Sequence, residues 1–76
     1  MPERLPPSEI DAALMTVIRG GMGATIDQAI TGASRMFGFK STSAQLRQGI
    51  EAGIGRLRAQ GNIIEQHGML IDAGNG

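Results

Sequence analysis

Apolar residues recur at the spacing of an amphipathic helix in the first third of the chain. This stripe follows Ser8, a residue type that caps helix N-termini, and acidic residues fall in the first turn, where the helix dipole favours negative charge. It stops at Gly20 and Gly21, which suit a helix C-terminus. The pattern predicts a first helix over 9–19, with these residues on its buried face: Ile10, Ala13, Leu14, Val17 and Ile18.

A second apolar stripe follows the glycine-rich stretch GGMGAT. Thr25 and Gln28 match the capping-box pattern, and the stripe predicts a second helix over 26–36. GGMGAT does not match a phosphate-binding loop, because no Lys-Ser/Thr pair follows its glycines and no strand is predicted before it. We therefore expect this stretch to be a flexible connector.

The third apolar stripe begins after three consecutive hydroxyl residues, Ser41 to Ser43, each of which can cap a helix. Thr42 and Gln45 also match a capping box. The stripe predicts a third helix over 43–60, which ends at Gly61 and follows the short turn FGFK. Its predicted core face contains Leu46, Ile50, Gly53, Ile54 and Leu57.

Glycine recurs inside this third helix, at Gly49, Gly53 and Gly55. Each glycine lowers helix stability by about 1 kcal/mol relative to alanine. One explanation is a close approach of a neighbouring helix or of a partner's surface. The other is a defect that is tolerated because neighbouring elements hold the helix, and the sequence leaves both open.

After Gly61, two β-prone apolar runs, Ile63–Ile64 and Met69–Ile71, flank a short polar stretch that contains Gly68. This pattern is typical of a β-hairpin, which must lie against the helices to be stable. Three helices followed by a hairpin predict a mainly helical α+β fold, the winged helix-turn-helix. A three-helix bundle with an irregular tail and a dimerising helical module remain alternatives. We expect a flexible leader over 1–7, one domain over 8–72 and a disordered tail over 73–76.

The stretch SRMFGFKSTSAQLRQGIEAGIGRLRAQGNIIEQHGML also resembles a known family. This family is a small winged-helix domain of unknown function near the C-terminus of large bacterial proteins that combine helicase-like and endonuclease-like regions. The resemblance implies the winged-helix fold and a place in a DNA-processing protein, but no specific activity. The matching positions are Phe37, Gly38, Phe39, Lys40, Thr42, Leu46, Arg47, Ile50, Ile54, Leu57, Gly61 and Gly68.

Composition narrows the functional classes. The chain has no Cys and one His, so neither a disulfide framework nor a zinc site is expected, and no cofactor is implied. Aromatic residues make up 3% of the chain, which disfavours base stacking on single-stranded nucleic acid. No apolar run has the length of a membrane span, and the first ten residues lack the apolar core of a signal peptide, so we expect a cytoplasmic protein.

Charge distribution suggests contact with double-stranded DNA, although seven basic and seven acidic residues cancel. Residues 28–50 contain no acid, and they hold the end of the second helix, the turn and the start of the third helix. In a helix-turn-helix these parts contact phosphates and base edges, and the wing lies beside them. The predicted nucleic-acid-binding residues are Thr25, Arg35, Lys40, Ser41, Thr42, Ser43, Gln45, Arg47, Gln48 and His67.

A protein-interaction or positioning module within a larger protein is the alternative function. Zero net charge and five Met residues suit contact with another protein surface, although the same Met side chains can fill an irregular core. We do not expect an enzyme or a small-molecule substrate, because the single His67 falls in the hairpin turn without a carboxylate placed to orient it. Glu51 and Glu65 also form no recognisable acid–base pair.

Overall fold

The computed structural model describes residues 6–74, which form three helices and a three-stranded antiparallel sheet. This is the predicted α+β, mainly helical arrangement of the winged-helix type. The elements are α1 (Pro7–Gly20), β1 (Ala24–Thr25), α2 (Ile26–Met36), α3 (Ala44–Ala59), β2 (Ile63–Gln66) and β3 (Met69–Asp72).

Helix α1 begins earlier than the sequence predicts. Pro6 is its N-cap residue and Pro7 its first helical residue, a position at which proline is favoured because no backbone N–H is needed there. Ser8, the predicted cap, therefore lies inside the first turn. Of the predicted leader, residues 1–5 lie outside the described residues; of the predicted tail, residues 75 and 76 do.

The caps of the other two helices differ in how well the sequence predicts them. At α2 the predicted capping box is present: the Thr25 hydroxyl accepts from the Gln28 N–H at 3.1 Å, and the Gln28 side chain accepts from the Thr25 N–H at 3.0 Å. At α3 the cap is Ser43, whose hydroxyl accepts from the Leu46 N–H at 3.1 Å. The predicted capping box of Thr42 and Gln45 is wrong, because the Thr42 hydroxyl bonds to Ser34 instead.

The stretch predicted as a flexible connector contains strand β1. Ala24 pairs with Leu70 and Thr25 with Met69, so that β3 lies in the centre of the sheet, between β1 and β2. Met22 and Gly23 adopt positive φ angles of 55° and 115°, and they turn the chain from α1 into the strand. A strand of two residues has no detectable periodicity, which is why the sequence pattern did not indicate it.

One continuous core joins the three helices to the inner face of the sheet. Leu14, Ile18, Ile50 and Leu70 are fully buried in it. Phe37 and Phe39, on either side of Gly38, pack against this core while remaining partly exposed. The turn between α2 and α3 is thereby anchored at both of its aromatic residues.

The three glycines inside α3 differ in their surroundings. A Cβ atom added at Gly53 would lie 2.8 Å from Ile10 Cγ2 and 3.0 Å from both Asp11 Oδ1 and Leu14 Cδ1, so α1 crosses α3 there at close range. At Gly49 the nearest atom, Ile10 Cδ1, is at 4.0 Å, and at Gly55 no atom lies within 4 Å. Close approach of a neighbouring helix therefore explains Gly53, and Gly55 faces open space.

Candidate nucleic-acid interface

The turn between α2 and α3 positions the first group of candidate residues. Helix α2 ends with backbone hydrogen bonds from the Gly38 and Phe39 N–H groups to Arg35 and Ser34, at 2.9 and 3.0 Å. Gly38 has a φ of 86°, which a residue with a side chain rarely adopts. The turn therefore has a defined path, and it leaves Lys40 and Ser41 exposed at the surface.

Thr42, a predicted nucleic-acid-binding residue, has a structural role in this turn. Ser34 is 2% exposed, and its hydroxyl donates to the Ile30 carbonyl at 2.9 Å. The Ser34 and Thr42 hydroxyl oxygens lie 2.9 Å apart. Since Ser34 has a single hydroxyl hydrogen, Thr42 donates in this second bond. The pair joins α2 to the start of α3, a role for Ser34 that the sequence analysis missed.

Arg47 is held between two carboxylates. Its Nη2 atom lies 2.8 Å from Asp27 Oδ1, at the start of α2, and its Nε atom lies 3.2 Å from Glu51 Oε2, one turn along α3. The hydrogen bond with Asp27 is the main cause that raises the pKa of the Arg47 guanidinium. Residues 28–50 therefore contain no acid, but the two acids that flank them in the sequence, Asp27 and Glu51, both pair with Arg47.

Arg35 and Lys40 differ from the other cations of residues 6–74, because no carboxylate in this part of the chain pairs with them. Both are exposed, Arg35 in the last turn of α2 and Lys40 in the turn that follows. The remaining described cations are each within 3.2 Å of a carboxylate: Arg19 with Asp72, Arg47 with Asp27 and Glu51, Arg56 with Asp11, and Arg58 with Glu65.

The other candidate residues fall into two groups. Thr25, Thr42 and Ser43 make the caps and hydrogen bonds described above, so their hydroxyls are already engaged. Ser41, Gln45, Gln48 and His67 are exposed and make no side-chain hydrogen bond within residues 6–74. Gln45 and Gln48 lie in the first two turns of α3. His67 lies at the tip of the hairpin, with a φ of 55°.

The hydrophobic pattern did not indicate one apolar surface. It is formed by Ile64, Met69 and Ile71 on the outer face of the sheet and by Met22, which lies in the turn before β1 and lines a cleft together with Ile71. Met22 is 93% exposed and Ile64 42%, while Met69 and Ile71 are half-buried. A Cβ added at Gly23 would lie 3.6 Å from Met69 Cε and 3.8 Å from Ile71 Cγ1, so these two side chains cover the backbone of Gly23. We call these four residues the outer sheet patch.

A shallow cleft of about 380 Å³ adjoins the outer sheet patch, and Met22, Ile71 and the Arg19–Asp72 ion pair line part of it. The Gly74 N–H donates to the Asp72 carboxylate at 3.1 Å. This bond is the largest cause that lowers the pKa of Asp72, and the Arg19 guanidinium adds to it. The lining of the cleft therefore combines apolar side chains with a charged pair.

Catalytic and metal-binding groupings are also limited by the geometry. Within residues 6–74, no group of three or more His, Cys, Asp or Glu side chains is placed to hold a metal ion. Glu51 and Glu65 each pair with an arginine rather than with a second carboxylate. None of the helices in this part of the chain is both long and apolar enough to cross a membrane.

Comparison with known proteins identifies no relative. No protein-family model matches the chain, and no curated protein or solved structure shows significant similarity to it. The resemblance to the small winged-helix domain of large bacterial proteins therefore remains a prediction.

Proposed function

We propose that this chain is a non-enzymatic winged-helix module that contacts double-stranded DNA weakly, mainly through phosphates, as part of a larger DNA-processing protein. The observation that carries the proposal is the position of Arg35 and Lys40. These two exposed cations lack a carboxylate partner within the described residues, and they lie at the end of α2 and in the turn before α3. In a helix-turn-helix, these are parts that contact the DNA backbone.

The neighbouring side chains suit the same contact. Gln45 and Gln48 lie near the N-terminus of α3, the part of a recognition helix that reaches base edges, and glutamine can pair with adenine. Ser41 can donate a hydrogen bond to a phosphate oxygen. His67, at the exposed tip of the wing, can donate a hydrogen bond to a phosphate oxygen beside the groove.

Arg47 is expected to contribute little to DNA affinity. A phosphate that approached it would meet Asp27 and Glu51 and would have to displace them from the guanidinium. With two unpaired cations in residues 6–74, the release of counterions from this part of the chain is small, since the slope of log K against log salt is about −0.9 for each phosphate contacted. Binding should therefore be weak at physiological salt, and tethering to a larger protein would raise its effective concentration.

The test is a titration of isotope-labelled protein with random-sequence duplex DNA, followed by backbone amide shifts at low and at moderate salt. We expect salt-sensitive shifts confined to residues 35–48 and 66–68. Lys40→Gln and Arg35→Gln should each reduce the shifts. Arg58→Gln is the matched control, because it removes the same charge from an exposed site where the arginine is paired with Glu65. The absence of shifts at low salt would overturn the proposal.

The outer sheet patch favours a second candidate function, protein–protein interaction. Contiguous apolar side chains on a small domain are typical of contact surfaces. This surface includes the exposed Met22 and Ile64, and none of its four residues belongs to the segment that contains Arg35 and Lys40. In the purified domain, Ile64→Lys should weaken a contact with a protein partner and leave the DNA-induced amide shifts unchanged. Lys40→Gln should reduce those shifts and leave the protein contact unchanged.

A further inference from the structure

Strand β2 forms one edge of the sheet, since β3 pairs with it on one side only. An edge strand presents unpaired backbone N–H and C=O groups that can pair with another strand. Ile64, Glu65 and Gln66 are all exposed, so the edge is accessible over most of its length. No backbone hydrogen bond outside the sheet involves Ile63 or Glu65 within the described part of the chain.

The hairpin turn determines which backbone groups face outward. His67 and Gly68 both have positive φ angles, 55° and 76°, as in a two-residue type I′ turn. Such a turn makes the flanking pair, Gln66 and Met69, a hydrogen-bonded pair, and hydrogen-bonded and non-hydrogen-bonded pairs then alternate. The N–H and C=O groups of Ile63 and Glu65 therefore point away from β3.

Side chains along β2 do not block this edge. The Glu65 carboxylate lies 2.8 Å from Arg58 Nη2, so it is held toward α3 and does not extend across the edge. Ile64 lies on the opposite face and is 42% exposed. The chain has a formal net charge of zero, so two copies experience no net repulsion.

We propose that β2 pairs with β2 of a second copy of this chain, antiparallel about a twofold axis at Ile64. In this register Ile63 of each copy exchanges backbone hydrogen bonds with Glu65 of the other, giving about four bonds. Ile64 then lies directly opposite Ile64 of the second copy in a non-hydrogen-bonded pair, with Cβ atoms about 5 Å apart. The exposed Ile64 side chain of each copy is thus covered by the Ile64 of the other copy, and the two three-stranded sheets become continuous.

This inference does not depend on DNA binding, because it uses neither Arg35 nor Lys40. It also fits the outer sheet patch. Ile64 pairs with Ile71 within one chain, so the joined sheet would carry a row of four isoleucines across the dimer. Burial of these adjacent apolar side chains between the two copies supplements the backbone bonds.

The first test measures mass by sedimentation equilibrium over a range of concentrations up to about 1 mM, which detects a dimer with a dissociation constant as weak as about 1 mM. We expect the average mass to rise toward that of two chains. Glu65→Pro should abolish the rise, because it removes an outward N–H without removing a bond to β3. Glu65→Gln is the matched control, since it removes the charge but keeps the N–H, and it should still dimerise.

The second test uses the absence of native cysteine. Ile64→Cys should form a disulfide-linked dimer rapidly under mild oxidation, because the two positions face each other. Gln66→Cys lies on the same face, but its two copies would be about 14 Å apart in this register, so it should cross-link far more slowly. This pair of variants decides the question even if Glu65→Pro fails to fold. A wild-type chain that stays monomeric, or equal cross-linking by both cysteine variants, would overturn the proposal.

Discussion

Gly53 and Gly55 stand two positions apart on α3, and they have opposite surroundings. Gly53 is buried where α1 crosses, and an added Cβ would lie 2.8 Å from Ile10 Cγ2. Gly55 is exposed, with no atom within 4 Å of an added Cβ. Each lowers helix stability by about 1 kcal/mol relative to alanine. The close packing of α1 offsets this cost at Gly53, and no contact within the described residues offsets it at Gly55.

Packing against α1 specifies the inner face of α3, and no such contact within the described residues specifies its outer face. Ile50 and Ile54 lie on the inner face with Gly53, and all three are buried. The outer face presents small and polar residues, including Gln48, Ala52 and Gly55. Adding a side chain at Gly55 should therefore stabilise the domain, whereas adding one at Gly53 should not.

The largest effect is expected for Gly53→Val. Its branched side chain would overlap Ile10 and Leu14, and since Leu14 is fully buried it has no free space to move into. Overpacking of this kind costs about 1–3 kcal/mol, and the better helix propensity of valine relative to glycine offsets only part of that cost. We expect the free energy of unfolding to fall by about 1–2 kcal/mol in urea denaturation followed by circular dichroism. An unchanged unfolding midpoint would contradict the close crossing of α1 and α3.

Sequence reasoning succeeded where local chemistry decides the structure. The capping box of Thr25 and Gln28 and the turn at His67 and Gly68 depend on residues within four positions of each other, and both are present. It failed where a distant partner decides. β1 exists because Ala24 meets Leu70, and Thr42 leaves the predicted cap because Ser34 accepts its hydrogen bond.

The sequence predicts which candidate residues are exposed, but it does not predict which of the candidate cations are paired with carboxylates. Arg35, Gln45 and Gln48 lie off the predicted apolar stripes of α2 and α3 and are exposed, and Lys40 is exposed in the predicted turn. The pairing of Arg47 with Asp27 depends on how the start of α2 packs beside α3, a relation across 20 positions that no sequence spacing reveals. Residues 28–50 contain no acid, but the surface around Arg47 does, because Asp27 and Glu51 lie beside it.

A smaller effect of opposite sign is expected for Gly55→Ala. The added methyl group meets no atom within 4 Å, so the gain in helix propensity is not opposed. We expect stability to rise by about 1 kcal/mol. Gly53→Ala is the matched control, because it makes the same chemical change on the inner face and should destabilise the domain or leave it unchanged. If both variants are stabilised equally, the difference between the two faces is not real.

The smallest effects on stability are expected for substitutions of two arginines of α3, Arg47 near its start and Arg56 near its end. Arg56 binds Asp11 of α1 through two nitrogen atoms, at 2.9 and 3.2 Å, and its side chain is 35% exposed. Arg47 is 45% exposed and divides its contacts between Asp27 and Glu51. Two parallel bonds to one carboxylate fix geometry better than separate bonds to two, and the less exposed pair is less screened by salt.

We therefore expect Arg56→Gln to lower the Tm more than Arg47→Gln, and its effect to persist at high salt, where the effect of Arg47→Gln should vanish. Thermal unfolding at two salt concentrations measures both. Asp11→Asn provides the control from the other side of the bond: it should reproduce the loss seen in Arg56→Gln, and the double variant should add little to either change. Equal decreases in Tm for Arg56→Gln and Arg47→Gln at both salt concentrations would contradict this expectation. The ion pair of Arg56 with Asp11 of α1 would then stabilise the domain no more than the ion pairs of Arg47 do.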